Sequence, residues 1–337
     1  MIKCIRFQKK QVIFHTMKKK NTHYAWFVCL GCALLLFCTS GLAENAFTIY
    51  QPYIMKLNGF TNAQTSSILT FRTLASLITM LFLGVYYKKL SLRFGMAAAG
   101  FSSAVGFAVF GMAKAYAVYC VGASLVGIGY GLGTMIPIAI VLRRWFAGSR
   151  NFAIGICSAA TGLSTFGIPT LISNGIERCG LGKTFFAQSA VMAVCVFLSF
   201  LLIRSDPSDK GLAPYGGETE AVKIQSAGGG LTKKETILLL PAVVLVGGVM
   251  SAAYCHLSVL ITGAGYPASV AALASSLSGV AMILGKTVFG KLGDTITNYR
   301  TNYIFGGIML LGLAVSCLVP LGVFAAYAGS VLFCFGI

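Results

Sequence analysis

Between Tyr24 and Ala43 the chain runs for 20 residues without one charged side chain. At about 1.5 Å per helical residue, such a run crosses a hydrocarbon core of about 30 Å. Comparable apolar runs recur all the way to Ile337. Inside lipid every backbone N–H and C=O must find a partner within the protein, so these runs are helices or strands of a closed barrel. Barrel strands alternate apolar and polar residues, and these runs do not. The chain is therefore predicted to be an all-α membrane protein. Composition agrees, with 57% hydrophobic and 10% charged residues, where soluble domains run at about a quarter charged.

A net charge of +18 would suggest nucleic acid if it were spread over a surface. Its placement excludes that. Seven basic residues (Lys3, Arg6, Lys9, Lys10, Lys18, Lys19, Lys20) precede the first apolar run, and most others fall in alternate short loops. Lys88, Lys89 and Arg93 mark one such loop, Arg143, Arg144 and Arg150 the next, and Lys291 and Arg300 a later one. Basic loops stay on the cytoplasmic side, so the amino terminus is predicted to be cytoplasmic. One loop departs from the pattern: Arg178 and Lys183, against Glu177, lie where few charges are expected. The eleven cysteines, Cys29-x-x-Cys32 among them, fall in apolar runs without metal-site spacing, and read as small hydrophobes. Met17, followed by three lysines, is an alternative start, and residues 1–16 are then an upstream extension.

Ten spans are predicted, at 24–50, 62–86, 94–113, 116–142, 151–173, 184–204, 236–262, 268–290, 302–319 and 321–337. They divide the chain into a basic segment at 1–23, a six-helix bundle at 24–204, a cytoplasmic linker at 205–235 and a four-helix set at 236–337. The linker is polar and carries Asp206, Pro207, Pro214 and Gly228-Gly229-Gly230. In the fourth span Gly127, Gly129, Gly131 and Gly133 have the wrong spacing for a dinucleotide loop. They suit close helix packing instead. Gly285-Lys286-Thr287 follows Gly279 by one residue too many for a phosphate loop, so no ATPase is implied. No H-E-x-x-H motif, serine–histidine pair or metal-ligand cluster is present, and neither enzyme nor cofactor is expected.

Two apolar runs end alike. Gly290-Lys291-Leu292-Gly293-Asp294 closes the eighth span; Gly84, followed by Lys88, Lys89, Arg93 and Gly95, closes the second. Six spans, a linker and a second set, with G-K-L-G-D after the eighth span, resemble the major facilitator superfamily. Asp206-Pro207, Gly211-Leu212-Ala213-Pro214-Tyr215-Gly216 and Arg144-Trp145-Phe146 are similar to its oxalate/formate antiporter and monocarboxylate transporter branch. Lys88 stands where the superfamily has an acidic residue. The resemblance implies a multi-pass transporter of the cytoplasmic (in a bacterium, inner) membrane, an antiporter or symporter working as a monomer. A small organic anion is its expected solute and the bilayer its other partner. Two bundles would rock about a central site, gated by loops at Gly84, Arg93 and Gly95 and at Gly290 and Asp294. Asp294 would close against a basic or helix-end partner. Twelve spans are usual, so the resemblance further implies a C-terminal truncation. A non-transporting relic, or a sensor on the same scaffold, is the alternative.

Four ionisable residues fall at bilayer depth: Glu44, Arg72, His256 and Lys286. Each costs between about 3 and more than 10 kcal/mol there, which makes each a functional candidate. Lys286 lies four residues before Gly290, about 6 Å into its span. By resemblance it replaces an arginine that meets the substrate carboxylate; the alternative is a lysine snorkelling to the interface. Arg72 and Glu44 could form a structural ion pair or a coupling pair lining the cavity. His256 could bond a substrate, relay a proton, or merely bond a neighbouring helix. Asn45 and Tyr50 could add neutral hydrogen bonds.

Overall fold

The computed structural model describes residues 23–45, 47–216, 232–296 and 298–337. The basic amino-terminal segment, Met17 with it, and the linker residues 217–231 lie outside that set. Among the described residues fourteen α-helices follow in order: α1 Tyr24–Leu36, α2 Phe47–Asn58, α3 Asn62–Leu81, α4 Leu83–Lys89, α5 Leu92–Met112, α6 Tyr116–Gly133 and α7 Met135–Trp145. Then come α8 Arg150–Leu163, α9 Ile168–Cys179, α10 Leu181–Leu202, α11 Lys233–Gly263, α12 Ala268–Thr295, α13 Asn298–Ser316 and α14 Val323–Gly336. No β-strand forms among the described residues, only an isolated bridge between Phe146 and Tyr215.

Several predicted spans are helices interrupted partway. The first continues from α1 as a widened, π-type coil over Phe37–Asn45 before α2 begins; such widened turns frequently accompany functional positions. α3 and α4 meet at a bend of 60°. Of the ten predicted spans, six stretches among the described residues are long and apolar enough to cross a membrane, or eight if two bent pairs each count as one. The ninth and tenth places are taken by α13 and by the shorter apolar α14.

The glycines of α6 explain how the first half packs. A methyl at Gly127 would collide with the Arg72 carbonyl, and one at Gly131 with Ser76, both on α3. Gly129, half a turn round, would collide with Ser103 and the Ala99 carbonyl of α5. Alternate glycines thus give α6 two bare faces, one for each neighbour. Lipid supplies little hydrophobic drive between helices, so this close van der Waals contact carries the association.

The linker begins by docking on the end of α7. Arg144 Nη1 lies 2.8 Å from Asp206 Oδ2, the indole of Trp145 donates to the Arg204 carbonyl at 2.9 Å, and Tyr215 N donates to the Trp145 carbonyl at 2.8 Å. Two short motifs some sixty residues apart in sequence are therefore one structural unit. This junction defines the linker end of the molecule; the α9–α10 turn marks the opposite, far end.

Candidate functional site

The two halves meet chiefly along α8 and α12. A methyl at Gly155 of α8 would collide with the Lys286 carbonyl, and one at Gly290 of α12 with the Asn151 carbonyl. The helices therefore cross backbone to backbone. Polar side chains tie the same seam at three heights. Lys286 Nζ donates to Thr161 Oγ1 at 2.8 Å. Above it, towards the far end, Thr165 and Tyr254 of α11 share a hydrogen bond of 3.0 Å. Below, Asp294 Oδ1 and Oδ2 accept from the backbone N–H groups of Asn151 and Phe152 at 2.9 and 2.8 Å.

The Asp294 contact has a local cause. Helices begin with unsatisfied N–H groups, and α8's own N-cap, Ser149, makes no side-chain capping bond. A carboxylate from the other half takes the role, favoured also by the positive end of the helix dipole. Asn151 adds a side-chain bond to Asn298 Oδ1 at 2.9 Å. Asp294 thus meets a helix end, of the two partner types considered from sequence.

Beside this seam lies a cavity of about 440 Å³ between the halves. Lys286 lines it, with Ser158 and Thr161 of α8, Ser40 of the widened first span, Tyr130 of α6 and Asn151 near the linker end. Lys286 is partly buried, and among the described residues no carboxylate lies within ion-pair distance of it. The cavity therefore has one cation answered by a hydroxyl.

Arg72 and Glu44 do come together: Arg72 Nη2 lies 3.8 Å from Glu44 Oε1, and Arg72 Nη1 donates to the Ala43 carbonyl at 3.2 Å. Neither lines the cavity, whereas Tyr130, which does, lies close enough to interact electrostatically with both. Tyr50 is fully buried, donates to Gln188 Oε1, stacks on Phe185 at 4.2 Å and does not line the cavity. His256 is exposed on α11, away from the cavity. The Asn45 side chain lies outside the described residues. Gly84 is exposed, while Gly95 sits under Tyr86, whose hydroxyl donates to the Gly95 carbonyl at 3.0 Å. Arg93 lies over the Phe200 ring at 4.1 Å and donates to the Phe200 carbonyl at 2.9 Å, within its own half.

The fold has known counterparts. The family profile of the Major Facilitator Superfamily matches residues 32–337. The chain belongs to that superfamily. It is 23% identical over 326 residues to monocarboxylate transporter 12 of Rattus norvegicus, covering 88% of this chain and 66% of that transporter. With multidrug resistance protein MdtG of Proteus mirabilis it shares 22% over 323 residues, 92% of this chain and 74% of that one. The crystal structure of the superfamily transporter FucP in the outward conformation superposes with a TM-score of 0.58 at 17% identity, over 91% of this chain and 81% of that one. This superfamily consists of membrane transporters, not enzymes, and the chain spans about two thirds of the length of the rat transporter.

Proposed function

We propose that the protein is a secondary transporter of a small organic anion, a mono- or dicarboxylate, working by alternating access between its two halves. The supporting observation is Lys286: a partly buried ammonium in the inter-half cavity with a hydroxyl as its hydrogen-bond partner and, among the described residues, no carboxylate within ion-pair distance. Placing a charge at that depth is costly, and an anionic solute is the counter-ion that offsets the cost while it is bound. The lysine is a point charge, so it fixes the carboxylate's position more than its orientation. Tyr130, Ser40 and Ser158 add neutral hydroxyls to the lining of the same cavity.

The second element is the pair Arg72–Glu44. Its contact with Tyr130 gives it a route to the solute without entering the cavity, which suits a coupling role. The third is the Asp294 contact, a closure at the linker end that must break when the halves rock the other way. In this reading the amino terminus and linker lie on the cytoplasmic side of the cell membrane, which the basic loops support.

Uptake of labelled mono- and dicarboxylates into proteoliposomes holding the whole chain tests the reading. Truncating one partner of a buried charge contact costs about 2–5 kcal/mol, about 30-fold or more. Lys286→Ala is expected to lower apparent solute affinity by at least that factor, and Lys286→Arg to retain most of it. Unchanged uptake by the alanine variant removes Lys286 from the site.

A further inference from the structure

A second hollow, of about 340 Å³, lies at the far end of the first half and is lined by residues of that half alone. Its walls are Ile168, Leu171 and Ile172 of α9 facing Ala187 and Val191 of α10, with Lys183 at its lip. Leu171 is 67% and Val191 51% exposed, so this trough faces the surroundings of the bundle.

Its origin is local. The chain turns at Gly167, whose φ of +80° suits glycine, and restarts as α9 with Pro169 in the first turn. α9 buries only Ile172 and Ile176. Gly175, between them, presents no side chain, and the space it leaves is part of the trough. The bonded pair Tyr50–Gln188 closes the floor. An open, mostly apolar channel at the low end of ligand-cavity volumes fits a flexible hydrocarbon chain better than a compact polar solute.

The lip carries charge that the transport reading leaves unused. Arg178, Lys183 and Glu177 are all exposed on or beside the α9–α10 turn, two cations against one anion. Among the described residues neither cation has an ion-pair partner. This is the same basic pair that departs from the loop-charge pattern. Basic side chains over an apolar channel at the membrane boundary are the chemistry of an anionic lipid headgroup above its acyl chain.

We propose that the α9–α10 groove seats an acyl chain of an anionic phospholipid, whose phosphate is held by Lys183 together with Arg178. The site is independent of Lys286 and of the solute. Glu177, beside the pair, disfavours a headgroup of higher negative charge.

The test is native mass spectrometry of the whole chain, delipidated in detergent and then offered phosphatidylglycerol or phosphatidylcholine of identical chains. The phosphatidylglycerol adduct is expected to exceed the phosphatidylcholine adduct by about fivefold, the worth of one basic side chain at an anionic membrane surface. Lys183→Ala is expected to bring the two adducts close together by lowering only the first. Ala187→Trp, which fills the groove from an exposed position, is expected to lower both. Thermal unfolding alongside confirms that each variant is folded. A preference for phosphatidylglycerol that survives Lys183→Ala combined with Arg178→Ala overturns the headgroup site. Adducts unchanged by Ala187→Trp overturn the groove.

Discussion

The loops after the second and eighth spans begin from similar sequence and end in different work. In the last turns of α12, which runs on as helix through the expected loop, Gly290 lies against the Asn151 backbone and Asp294 holds the first amides of α8, so this helix end joins the halves. After α3, Gly84 touches nothing within 4 Å of where its side chain would be, Lys88 is exposed, and Arg93 turns back onto Phe200 of its own half. The difference lies in the sign of the side chain and in what it faces. An acceptor can satisfy the orphan N–H groups of a helix start; an ammonium, with donors only, cannot. One loop is a clasp between halves, and the other is a brace within one.

The sharpest way to break this comparison is to crowd the two glycines in turn. Gly290→Leu places a side chain against a backbone carbonyl that has no room to move, and such overpacking costs about 3 kcal/mol. Gly84→Leu adds a side chain in open space, where the change stays within about 0.5 kcal/mol. The melting temperature of the whole chain in detergent reads both. Equal losses would mean that the two loops are equivalent after all.

Next in size is the clasp itself. Hydrogen bonds to a charged group contribute about 1.5–3 kcal/mol each to stability, so Asp294→Ala is expected to free the start of α8 by roughly 2 kcal/mol. Hydrogen exchange at the Asn151 and Phe152 amides should quicken about 30-fold in that variant. Protection left intact would show that some other acceptor caps the helix and that Asp294 is incidental.

Much of this arrangement is legible in the sequence, because the costs that betray it are large. Uncharged runs mark helices, the Gly127–Gly133 series marks close packing, and Lys286, Arg72 and Glu44 stand out because a charge in lipid needs a reason. The neutral half of the cavity carries no such signal. Ser158 and Thr161 bond carbonyls of their own helix at 2.9 and 2.7 Å, so a hydroxyl there costs almost nothing and passes for an ordinary helical residue. Their spacing from Asn151, seven and ten residues on, puts all three on one face and could have identified the wall. Tyr130 is less visible still. Its contact with Glu44 joins residues far apart in sequence, through a widened first span that no periodicity announces. His256 illustrates the converse: polarity in an apolar run drew notice, yet its side chain lies on the exposed face of α11.

The smallest expected effect is the most discriminating. Lys88→Asp restores to the first loop the sign that the second one carries. If charge alone made a clasp, the variant would gain stability comparable to what Asp294 contributes. A clasp also needs a helix start within reach whose own cap is missing, as Ser149 leaves α8. The helix that begins beside the first loop, α5, already has its cap, with Ser91 Oγ accepting from Phe94 N at 3.4 Å. Lys88→Asp is therefore expected to shift stability by no more than about 0.5 kcal/mol, with no new slowly exchanging amides. A gain above about 1 kcal/mol would show that the sign of one side chain, not the uncapped helix opposite, makes the clasp.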